Sequence, residues 1–172
     1  MKAALAIALF AFSAAAADFP VDRVTTLTSA PGEGKVAFLS RAAKTFRAFS
    51  DRTGYEACAE IATDGARFGL VVTTSHSHIG CAVNRALVPS GMTATGESIH
   101  SHGINTAFHP SRVDRMFLGI PLTARADAAI VGGQDPEHFS ETDFAGAHGY
   151  LATPSGLKYQ DGAGSERVVK AP

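Results

Sequence analysis

The sequence predicts an α+β domain. Three observations carry that prediction: one apolar stripe of helical period, an Asp-Gly pair between two apolar runs, and a Pro-Ser-Gly turn between two more. The chain has 172 residues, 45% hydrophobic and 18% charged, which suits a single domain with one core and excludes disorder. Its formal net charge of −1 leaves no strong basic field, so no nucleic-acid partner is expected.

Residues 1–17, MKAALAIALFAFSAAAA, read as a secretory signal peptide. Lys2 supplies the basic start, Ala3 to Phe12 the apolar run, and Ala15-Ala16-Ala17 the small residues before a cleavage point after Ala17. The run is short for a bilayer span, and no later run has membrane length, so a periplasmic or secreted protein is expected. Residues 18–34 contain Pro20, Pro31, Gly32 and Gly34 and read as an extended lead-in. From Lys35 to Asp51, Val36, Leu39, Ala42, Ala43, Phe46 and Phe49 fall on one face of a helix, and Gly54 is its stop signal.

Tyr55–Thr63 and Ala66–Thr74 flank Asp64-Gly65 and predict a hairpin with a two-residue turn. Gly80–Leu87 is short and apolar and predicts a third strand. Ser98–His102 predicts a fourth, after the turn at Pro89-Ser90-Gly91. Residues 104–139 are irregular and long for a connection, with a short helix predicted at Arg112–Leu118. Ser140 is a natural N-cap for another helix that Gly149 would end. Tyr150–Thr153 and Leu157–Gln160 then form a hairpin, and the polar tail from Asp161 to 172 is expected to fray.

The chemistry gathers at Glu56, His100, His102 and Asp143. Side chains alternate along a strand, so His100 and His102 share a face and are close enough to share one ion. Imidazole is the common zinc ligand and a carboxylate can be the third, leaving a fourth position open for water. Zinc lowers the pKa of bound water to about 7, and a nearby carboxylate must then carry the proton. Glu97 has the wrong strand parity for that work, while Glu56 and Glu60 share a face and remain alternatives.

The other histidines read more simply. His76 and His78, beside Cys81, have no evident carboxylate partner and read as a polar loop. His109, His138 and His148 read as surface residues outside a ligand set. An exported chain would favour a Cys58–Cys81 disulfide. The expected meander puts their strands two spacings apart, about 10 Å, which argues for a free, buried Cys58.

Glu56-Ala57-Cys58, Ile99-His100-Ser101-His102 and Ser140-Glu141-Thr142-Asp143 resemble the JAB/MPN family of JAMM zinc metallopeptidases, with its upstream Glu, H-x-H and S-x-x-D. Phe139-Ser140-Glu141-Thr142-Asp143, followed by Tyr150-Leu151-Ala152-Thr153-Pro154-Ser155-Gly156, resembles a bacterial JAB-like branch, some of whose domains end Rhs-type toxins. The resemblance spans roughly residues 35–160, with 104–139 as an insertion at the mouth of the site. It implies a cytidine-deaminase-like architecture, a mixed curved sheet flanked by helices. It also implies Zn2+ held by His100, His102 and Asp143, Glu56 rather than Glu60 as general base, and Ser140 stabilising the oxyanion. The implied activity is hydrolysis of a peptide or isopeptide bond in a peptide or protein, peptidoglycan peptides included. A catalytically inactive JAB-like binding or assembly module and a toxin or effector domain are the two other functions the resemblance admits.

Overall fold

The apolar stripe becomes helix α1 (Lys35–Thr53), two residues longer than the spacing predicts. Gly54 closes it in the left-handed conformation (φ 76°), its N–H returning to the Ser50 carbonyl. Phe38, Leu39 and Phe46 are fully buried against Ile61, Leu70 and Ile99 of the sheet. Each such side chain contributes about 1.5–3 kcal/mol by leaving water. The computed structural model describes residues 19–103, 106–122 and 131–170. The expected signal peptide, 1–17, therefore lies outside the described residues, as do 104–105 and 123–130 of the insertion.

The sheet has seven strands: β1 (Asp22–Thr28), β2 (Ala57–Thr63), β3 (Phe68–Thr74), β4 (Thr93–Ser101), β5 (Gly149–Thr153), β6 (Gly156–Gln160) and β7 (Arg167–Lys170). Their order is β1-β3-β2-β4-β5-β6-β7, antiparallel except for β4 with β5. The fold is thus α+β with a mixed sheet. Two short helices, α2 (Arg112–Phe117) and α3 (Glu141–Ala145), lie in the connection from β4 to β5. A parallel pair needs such a crossover. Because α1 covers one face, this crossover carries α3 over the other. Among the described residues no helix is long and apolar enough to cross a membrane.

Several expectations need correction. Part of the lead-in is strand β1, which pairs with β3 along the sheet edge. Residues 167–170 of the expected tail pair with β6 rather than fray. The β2–β3 turn spans four residues, 64–67, because the Asp64 carboxylate accepts from both the Ala66 and Arg67 N–H groups. The helix begun at Ser140 stops at Gly146, well short of Gly149.

Residues 80–87 form no strand. The chain instead folds back after Thr74, with Ser75 Oγ accepting from the Ala82 N–H. That return brings Cys81 to Cys58 (Cα–Cα 5.9 Å), and the two form a disulfide. The expectation of a free Cys58 fails for this reason: Cys81 reaches it across a folded loop, and no strand spacing intervenes.

Candidate metal centre

β4 delivers the two histidines. Ile99 and Ser101 face α1, Ser101 hydrogen-bonding Ser50 at 2.8 Å, so His100 faces the opposite side. His102 follows just past the strand end. There is no room for a side chain at Gly103, where a Cβ would lie 2.3 Å from the Gly54 carbonyl oxygen. This close approach packs the end of the H-x-H segment against the end of α1.

Asp143 comes from the third position of α3. Ser140 and Asp143 form a reciprocal capping box: the Ser140 hydroxyl accepts from the Asp143 N–H while the Asp143 carboxylate accepts from the Ser140 N–H. The Ser140 hydroxyl also donates to Asp143 Oδ2 at 2.7 Å. The cap therefore aims the carboxylate. Its oxygens lie 3.3 Å from His100 Nε2 and 3.1 Å from His102 Nε2, and the two Nε2 atoms are 3.2 Å apart. Zinc–ligand bonds of about 2.0–2.1 Å in a tetrahedron put neighbouring donor atoms about 3.3 Å apart. These three side chains could hold a metal ion on distance alone.

The tautomer agrees. His102 Nδ1 is 2.7 Å from the Asp135 carbonyl oxygen, which can only accept, so Nδ1 carries the proton. In the neutral ring that leaves an Nε2 lone pair facing the other two donors. Asp143 is held far below the usual carboxylate range: burial pushes it up, but the charges and hydrogen bonds of His100 and His102 outweigh that. His102 is raised, because Asp143 and Glu56 outweigh its own desolvation.

Glu56, directly before β2, lines the same cleft and is 3% exposed. Its backbone is fixed on both sides, the N–H donating to the Ser77 carbonyl and the carbonyl accepting from Thr74 Oγ1. Its Oε1 is buried with no hydrogen-bond partner. Burial pushes the carboxyl up to about 8, partly opposed by His102. Glu60 shares the strand face but is used elsewhere: it accepts from the Gly96 N–H at 2.6 Å, beside a register shift between β2 and β4. Glu97 points the other way and pairs with Lys35 at 2.6 Å.

The second H-x-H stays outside this centre. His76 pairs with Asp22, and His78 with Asp114, a buried carboxylate partner that its sequence neighbourhood did not disclose. His138 pairs with Glu166, and His109 and His148 are exposed. Asp135 and Arg47 carry no sequence signal for their parts, since both act through a main-chain carbonyl: Asp135 lends its own, and Arg47 donates to that of His102. Comparison with protein-family models, with curated proteins and with solved structures finds no match.

Proposed function

We propose that the chain is a zinc-dependent peptidase of JAMM type on a JAB/MPN-like fold. The observation that carries this is Glu56. The side chain with an unpartnered buried carboxylate oxygen lines a cleft with His100 and Asp143, two members of a three-donor cluster of tetrahedral spacing. Two imidazoles and one carboxylate suit zinc, and such a set leaves a position free for chemistry. His100, His102 and Asp143 would hold the ion. Zinc in such a site acts as a Lewis acid and makes hydroxide accessible near neutral pH.

The chain's own residues account for the rest. Glu56 takes the proton from the attacking water and returns it to the leaving nitrogen. Ser140 lines the cleft and would support the oxyanion by moving its hydroxyl hydrogen bond from Asp143 to substrate. Asp135 and the α3 cap keep the donors in place.

Residues 1–17 and the Cys58–Cys81 disulfide support export to the periplasm or beyond, where disulfides persist. The test is hydrolysis of a mixed peptide library by the zinc-loaded protein and by Glu56→Gln. Cleavage by the parent, with loss of at least about a hundredfold in the variant and unchanged zinc content, is the expected result. A variant as active as the parent contradicts the assignment. Zinc binding with no turnover by either protein favours the inactive binding-module reading.

A further inference from the structure

We infer that the wall facing the metal donors is a preformed apolar subsite, so that the substrate is a peptide with a neutral aliphatic or aromatic side chain flanking the scissile bond. This deepens the peptidase reading and rests on it.

The cleft has a volume of about 450 Å³, room for a short peptide segment rather than a folded domain. Its lining includes His100, Ser140 and Asp143 and, as its apolar wall, Ile79 and Val83 from the β3–β4 connection with Phe117, Leu118 and Val131 from the insertion. Four large apolar side chains are left exposed among the described residues, and two of them, Val83 (36%) and Leu118 (40%), stand on this wall. Apolar side chains gathered at a cleft are informative where scattered ones are not. No lysine or arginine lines the cleft among the described residues, and its acids are Glu56 and Asp143.

The apolar wall is held rigid by three separate devices. Asp114 of α2 accepts from Ser77 Oγ (2.7 Å), the His78 N–H (2.8 Å) and His78 Nδ1 (3.0 Å), joining the insertion to the β3–β4 connection. The disulfide ties Cys81 to β2 beside His100, whose register partner is Cys58. Phe117 lies flat against Gly80, where a Cβ would meet its ring at 2.5 Å. Gln134 adds a polar anchor: its Nε2 donates to the Ile79 carbonyl, and its buried Oε1 has no partner. A wall fixed before binding gains affinity because little is left to order.

The test uses hydroxamates that share one metal-binding head and differ in the tail: acetohydroxamate, 4-methylpentanohydroxamate, 6-aminohexanohydroxamate and the monohydroxamate of succinic acid. Binding to the zinc-loaded protein is measured by calorimetry. The branched aliphatic tail is expected to bind at least about tenfold tighter than the acetyl, cationic or anionic forms. Leu118→Asp and, separately, Val83→Asp are expected to reverse the preference toward the cationic tail. Equal binding of aliphatic and charged tails, or an unchanged ratio in both variants, overturns the inference while the metal centre stands. Failure of every hydroxamate, acetohydroxamate included, overturns the metal-centre reading and the inference with it.

Discussion

The Arg47 guanidinium, buried in α1, donates from Nη1 to the main-chain carbonyl of His102 at 2.8 Å. The helix thus reaches past the end of β4 to one of the candidate metal donors. Arg47 also pairs with Asp51 one turn on. Replacing Arg47 by Met leaves a buried carbonyl without its donor, a loss of about 1–3 kcal/mol. Calorimetric zinc titration is expected to show affinity weakened by up to about tenfold, with Arg47→Lys recovering part of it. Unaltered affinity in the Met variant would separate α1 from the site.

The Cys58–Cys81 disulfide closes a loop of sequence separation 23 whose end brings Ile79, Gly80 and Cys81 to the cleft. Removing it with a Cys58→Ser, Cys81→Ser double variant is expected to reduce stability by about 3 kcal/mol in denaturant unfolding. Hydrogen exchange should rise first at residues 75–87, because without the disulfide that segment is held by noncovalent contacts, those of Ser75 Oγ, Asp114 and Gln134 among them. Uniform exchange across the sheet and loop would contradict this placement.

Glu56 gives a pH signature to the metal-free protein. Burial raises its folded pKa from 4.5 to about 8. Between those values the unfolded chain has released a proton that the folded chain keeps, so stability falls as pH rises across that window. Glu56→Gln lacks this term. Its melting temperature is expected to exceed the parent's by more at pH 8 than at pH 5, about 2–4 °C for each kcal/mol. Differential scanning calorimetry in chelator checks it, and a gap independent of pH would show Glu56 to be solvated.

Much of this site was legible in the chain because its parts have local signatures. Strand parity put His100 on one face and Glu97 on the other, and Ser140 with Asp143 spelled an N-cap. The choice between Glu56 and Glu60 was not legible from parity, because the backbone N–H of Gly96 that claims Glu60 comes from another strand. β1 was missed because an edge strand, DRVTTLT, turns only Val24 and Leu27 toward the core and shows weak alternation. Residues 80–87 misled for the opposite reason. Their apolar character lines a cleft rather than a sheet, and a disulfide sets their path.

Ser140 does two things at once: it caps α3 and donates to Asp143. Ser140→Ala is expected to lower stability by about 1 kcal/mol and zinc affinity by about 10–100-fold. Thermal unfolding and competition with a chelating dye read the two effects separately. A variant that loses stability but binds zinc like the parent would reduce Ser140 to a cap.

The central claim is that His100, His102 and Asp143 hold one metal ion. Elemental analysis of the purified protein after exposure to zinc and removal of the excess tests it most directly, with His100→Ala prepared alongside. The account predicts one zinc per chain in the parent and less than about a tenth of that in the variant, which retains only two of the three donors. No bound metal in the parent, or equal zinc in both proteins, would contradict it.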